Sequence, residues 1–190
     1  MLFQLITIAV LPWISIGLHI LYTLEVNPAD YSCNHQKQIK GNPTTVFEFA
    51  TSSHALEKFM PWLTRFKEAD NRPVSIRKSY TGWMILPILG EIRFHAKLLD
   101  YRPGKLFDLE FSDDLLRQRI IIQTRSYHDR TLLQTTIHFR RNSLLYHCTI
   151  GYILRVYMKY QLEKSMKNLT VTVESLGDSN KIPNFSRKHL

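Results

Sequence analysis

Cysteine is nearly missing: only Cys33 and Cys148 occur among 190 residues. Two thiols cannot knit a disulfide scaffold, and neither sits in a CxxC or zinc-type spacing. They read as two separate buried thiols; a single bridge, which would imply an oxidising compartment, is the alternative. Lysine and arginine are absent before Lys37, and Met1 to Leu24 holds no charged side chain of either sign. Zinc-finger spacing and an aromatic RNP pattern are also absent, so nothing points to nucleic acid as a partner. No nucleophile stands beside a base, and His54, His95, His128 and His138 have no metal-type spacing. Asp113 and Asp114 read as a solvated loop. The sequence therefore names no catalytic residue, no metal ligand and no cofactor.

What remains is a chain of one-domain length, 44% hydrophobic and 22% charged, able to bury a sizeable core. Its formal charge is +9, and residues 37–190 carry +11, with 25 basic against 14 acidic side chains. Such a field favours anionic partners, a lipid surface among them, while a plain solvated basic surface is the bland alternative.

The uncharged opening "MLFQLITIAVLPWISIGLHILYTL" has the roughly 20 apolar residues that cross a hydrocarbon core. It lacks the basic n-region and small-x-small site of a cleaved signal, so residues 1–24 read as an uncleaved transmembrane anchor. Lys37 and Lys40 tilt the orientation towards a cytosol-facing domain, for instance at the endoplasmic reticulum. The sequons at Asn168 and Asn184 keep a lumenal or secreted alternative open. The expected division is an anchor over 1–24, a linker and strand start over 25–38, a folded domain over 39–175 and a flexible tail over 176–190.

Within the domain, a first strand ends near Gly41. "NPTTVFEFATSSHALEKFMPWL" then gives two short helices, with Pro43 at a helix start, Ser52 or Ser53 able to cap the second helix, and Pro61 ending it. From Val74 the period changes to two. "VSIRKSY" and "EIRFHAKL" alternate, Arg102-Pro103-Gly104-Lys105 is a turn, and "RQRIIIQTRSY" and "RTLLQTTIHF" form a hairpin at His128-Asp129. From Ser143 to about Val173 a helical period places Leu154, Met158, Leu162, Met166, Leu169 and Val173 in one arc.

This order, with "IKGNPTTVFEFATSSHALEKFMPWL" and "AKLLDYRPGKLFDLEF", resembles the SRPBCC or START-like superfamily over about residues 31–175. That superfamily includes the birch-pollen allergen and polyketide cyclase-like and coenzyme-Q-binding proteins. The resemblance implies an α+β helix-grip fold, in which a curved antiparallel sheet and two short helices are clasped by a long C-terminal helix. The chain departs from the pattern in the apolar "GWMILPILG", in one strand fewer than the fullest members, and in the added N-terminal segment.

A helix clasping a curved sheet tends to enclose a cavity, and cavities lined this way bind apolar ligands. The expected lining is Ile92, Phe94, Phe107, Leu109, Ile120, Ile122, Ile137, Phe139, Leu154 and Met158. His147, Gly151 and Arg155 are placed to orient a polar head. The alternative is that these side chains meet and leave no void. Trp83, Met84, Ile85, Leu86, Ile88 and Leu89 are too apolar for an exposed hairpin and read as a lid or a membrane contact. The expected function is membrane-anchored binding or transfer of a lipid or other hydrophobic small molecule. A cyclase-like or hydrolytic enzyme on the same scaffold, or a protein-interaction module with a packed interior, are the alternatives.

Overall fold

One residue explains why the helical stretch after Asn42 splits in two. Ser52 sits in extended backbone (φ −64°, ψ 140°), its N–H donates to Glu48 O, and its hydroxyl accepts the N–H of Ala55 at 3.3 Å. It thereby ends α2 (Pro43–Thr51) and starts α3 (Ser53–Phe59). Asn42 caps α2 through Thr44 N at 2.9 Å, with Pro43 in the first turn, where a missing N–H costs nothing. In the computed structural model, which describes residues 2–87, 89–112 and 116–178, the V of helices pushes Val46, Phe47, Ala50, Ala55, Leu56 and Phe59 into the core.

Seven antiparallel strands form one curled sheet in the order β1-β7-β6-β5-β4-β3-β2. They are β1 (Cys33–Lys40), β2 (Leu63–Glu68), β3 (Ser79–Leu86), β4 (Gly90–Arg102), β5 (Leu106–Phe111), β6 (Gln118–Tyr127) and β7 (Arg130–Phe139). Alternation in β6 and β7 buries Gln118, Ile120, Ile122 and Thr124, and Thr131, Leu133, Thr135, Ile137 and Phe139, on the inner face. Arg119 and His138, paired in register, point to the outer face. The Pro103-Gly104 turn joins β4 to β5 with Lys105 N donating to Arg102 O at 2.9 Å, and its φ of +70° at Gly104 is the backbone state glycine adopts freely.

Three boundaries differ from the sequence reading. β2 is not legible as a strand, because its period of two is broken: Arg65 has φ +51° and the register to β3 shifts between Thr64 and Lys67, which is a bulge. Conversely, the alternation from Val74 is not strand, and β3 begins only at Ser79. The long helix is two: α4 (Leu144–Cys148) and α5 (Ile150–Asp178), interrupted at Thr149 (φ −113°, ψ −105°). α5 lies mainly along β1, with lesser contact to α3 and β7, and Leu154, Met158, Leu162, Met166, Leu169 and Val173 are its buried face. It runs to Asp178, into the segment expected to be a tail; residues 179–190 lie outside the described residues.

The transmembrane anchor is a correction. Residues 2–23 do form a helix, α1 (Leu2–Thr23), but among the described residues no helix is long and apolar enough to cross a membrane. Pro12, Trp13, Ser15, Gly17 and His19 break the run of aliphatic side chains in α1. The single-pass assignment, with the compartment and orientation built on it, is withdrawn. Between α1 and β1 stands a 3₁₀ turn, Pro28–Tyr31, capped by Asn27.

Candidate functional site

The interior between α5, the α2–α3 pair and the inner face of the sheet is where the sequence placed a ligand. Phe94, Phe107, Leu109, Ile120, Ile122, Ile137, Phe139, Leu154 and Met158 are all buried there, and Ile92 is half-buried. Among the described residues, the interior cavity touches only one of them, Ile122. Towards β2–β5 aromatic rings fill the space: Phe94 lies 4.6 Å from Phe111 and 6.2 Å from Phe66, Phe66 stacks on Tyr80 at 5.1 Å, and Tyr80 meets Phe107 edge-on at 6.4 Å. Phe66 belongs to the strand that the sequence pattern hides, so the filling is hidden with it. Burial among these rings, with Glu68 nearby, also pushes the Tyr80 phenol far above its ordinary pKa.

A void does exist where α2, α3 and α5 meet β6 and β7. It measures about 20 Å³ and is lined by Ala50, Leu56, Phe59, Met60, Ile122, Leu133, Thr135, Leu162, Ser165, Met166 and Leu169. That holds about one water, against the ~300–1,000 Å³ of a typical small-molecule site. Of the expected lining only Ile122 borders it. Its wall includes two methionines, the most adaptable of apolar side chains.

Towards the other end of β6 stands an anomaly that the sequence did not flag. Gln118 is 0% exposed, and neither its amide oxygen nor its amide nitrogen has a hydrogen-bond partner. It pairs in register with Phe139, whose ring meets Tyr146 edge-on at 6.4 Å. An unsatisfied buried polar group costs roughly 1–3 kcal/mol, so this side chain is a stability liability in the closed protein. Its alternation with Ile120 and Ile122 was the signal that it faces inward, masked by the polar character of its side chain.

His147, Gly151 and Arg155 gather elsewhere. The buried His147 stacks on Tyr31 at 4.3 Å, and its Nε2 lies 2.5 Å from Arg141 O; the Arg155 guanidinium sits over the rings of Tyr31 at 5.3 Å and Tyr152 at 5.5 Å. Both side chains fasten the 3₁₀ turn to α4 and α5. The close approach expected at Gly151 comes from Tyr146: a Cβ there would lie 2.8 Å from Tyr146 O and 3.0 Å from its ring. Trp83, Met84, Ile85 and Leu86 belong to β3; Met84 and Leu86 are buried in the core, Trp83 and Leu89 are half-buried, Ile85 is 39% exposed, and Ile88 lies outside the described residues.

The two cysteines are free. Cys33 is buried, its thiol donates to Arg155 O at 3.2 Å, and burial raises its pKa; Cys148 is exposed, not buried as its sequence context suggested. Asn168 lies in α5, two residues before the buried Thr170, while Asn184, Asp113 and Asp114 fall outside the described residues. Among the described residues no group of three or more His, Cys, Asp or Glu side chains is placed to hold a metal ion.

No family model matches the chain, and no curated protein matches it. Solved structures do. A protein from Thermus thermophilus is similar with a TM-score of 0.61 at 11% identity, over 78% of this chain and 99% of its own. A Deinococcus radiodurans protein reaches 0.57 at 13% identity, over 76% and 97%. A Polyketide_cyc-like protein from Corynebacterium glutamicum reaches 0.51 at 10% identity, over 84% and 98%. Together with the curled sheet and long C-terminal helix, these likenesses show an α+β helix-grip fold; at such identities they speak of the fold alone.

Proposed function

We propose that the chain binds a hydrophobic small molecule carrying one hydrogen-bonding end, inside the grip between α5, the α2–α3 pair and the inner sheet face. The observation that carries this reading is Gln118, a fully buried amide with both ends unsatisfied in a largely apolar interior. Four residues along β6 from it, about 13 Å at ~3.3 Å per residue, Ile122 reaches the void under α2 and α3. A guest with a hydroxyl or carbonyl at Gln118 and a tail running past Ile120 towards Met60 and Met166 would satisfy the first and fill the second. The closed interior is too small for it, so the α2–α3 pair and α5 part to admit it, and binding selects that open population.

The reading is tested by native mass spectrometry of the full chain extracted from cells, and by titration with 1-decanol and with n-nonane, followed by intrinsic tryptophan emission. A saturable 1:1 response to decanol, weakened at least tenfold in Gln118→Leu while nonane is unaffected, is expected. Absence of any apolar adduct together with no saturable response to either probe would overturn the reading.

A further inference from the structure

On the outer face of the sheet, away from the interior, a groove of about 840 Å³ runs between the end of α1 with the following turn and the ends of β6 and β7. Arg117, Arg119, Arg140 and Arg141 line it, with His138 and Ser143 between them; Glu25 is the one carboxylate in its wall among the described residues. Two of the guanidiniums are held from beneath. Arg119 donates through Nε and Nη2 to Asp108 at 2.8 and 2.5 Å, and Arg140 pairs with Glu110. Both carboxylates stand on β5 and neither reaches the groove wall, Asp108 being 6% exposed in its side chain against 33% for Arg119.

A guanidinium has five N–H donors, and the Asp108 fork uses two of Arg119's, leaving three in a fixed orientation. Ser143 lines the groove, but its hydroxyl is turned out of solvent with no hydrogen-bond partner, so it meets a groove ligand only by rotating about χ1. Fixed forks, an imidazole and a waiting hydroxyl make a wall of donors short of acceptors. Such a wall fits a group with several anionic oxygens in tetrahedral array better than a planar carboxylate, which one fork satisfies.

We propose that this groove binds a phosphate group borne by a ligand, a site separate from the interior and independent of what the interior holds. The phosphate oxygens take the remaining N–H groups of Arg119 and Arg140 and the Ser143 hydroxyl. The source is either a small soluble phosphate compound or a lipid headgroup, and the experiment separates them.

The full chain is titrated at constant ionic strength with inorganic pyrophosphate, with sodium chloride as control, and separately floated with phosphatidylcholine vesicles with and without 20% phosphatidate. Binding is read by calorimetry and by the thermal midpoint, which rises when a ligand binds only the folded state. Saturable pyrophosphate binding, weakened at least tenfold in Arg140→Gln and largely retained in Arg140→Lys, establishes a soluble-phosphate site. Binding confined to phosphatidate vesicles and lost in Arg140→Gln establishes a headgroup site. No response to either probe, or a wild-type response that chloride reproduces, overturns the proposal. Should Arg140→Gln fail to fold, Ser143→Ala, expected to weaken binding several-fold, serves in its place, and an unchanged affinity there counts against the site.

Discussion

Leu162 presses from α5 onto the void at the centre of the grip and is 1% exposed. Replacing it by alanine removes roughly three methylene equivalents, or about 2.4 kcal/mol at ~0.8 kcal/mol each. The hole joins a void of about 20 Å³ that the surrounding side chains already leave open, so little collapse is expected. At ~24 cal/mol per Å³ of residual cavity, every ~40 Å³ left empty adds about 1 kcal/mol. Leu162→Ala should therefore cost about 3–4 kcal/mol, measured by urea denaturation followed by circular dichroism, with an unchanged m-value. The enlarged space should also accept benzene, which at a hundredfold excess over its dissociation constant would restore about 2.7 kcal/mol. A loss below about 1.5 kcal/mol, with no recovery on adding benzene, would show that α5 does not clasp the sheet at this level.

Gln118→Leu should stabilise the ligand-free protein by about 1–3 kcal/mol, because it deletes two unsatisfied polar atoms; a less stable variant in urea would mean that the amide is satisfied in solution. Gly151→Ala gains about 1 kcal/mol of helix propensity but drives a Cβ to 2.8 Å from a backbone carbonyl, so a net loss of up to ~2 kcal/mol is expected, and a thermal midpoint at or above wild type would refute the tight turn. Ser52→Ala should cost about 1 kcal/mol by uncapping α3, with Ser52→Asp recovering most of it in the same denaturation assay. Burial, helped by Arg119 and opposed by Asp108, depresses the His138 pKa below its ordinary 6.5. The unfolded chain then takes up a proton that the folded one refuses, so this contribution to stability is complete above pH 6.5 and is lost as pH falls towards the folded pKa. His138→Gln should flatten the decline in urea midpoint between pH 7.5 and 5.5; an identical decline in both proteins would contradict the depressed value.

The sequence carried the architecture wherever local chemistry and tertiary packing agree. Proline and serine positions marked the two short helices, the period of two marked β4 to β7, and the arc from Leu154 to Val173 marked the buried face of α5. It failed where backbone geometry departs from a simple period. The left-handed Arg65 hides β2, Thr149 interrupts a helical pattern that reads as continuous, and the apolar count of the first segment outweighed the proline and polar residues within it. The interior was legible as apolar but not as filled, since the filling depends on Phe66 and Tyr80 meeting across strands. Gln118 shares the parity of Ile120 and Ile122 and was passed over because a glutamine reads as a surface residue. The outer arginines come from separate segments that only the sheet brings together.

A curled sheet that does not close has two rims, and each is a template on which another chain could lay a strand. One rim, β1, is guarded: α5 lies along it, and Glu174 Oε1 accepts the N–H of Lys40 at 3.3 Å. The other, β2, spans six residues, is kinked at Arg65, and exposes Lys67 and Glu68. Shortness, a kink and charge are the features that deter edge-to-edge growth. The same irregularity that concealed this strand from a periodic reading thus keeps the open half-barrel from becoming the seed of a fibre.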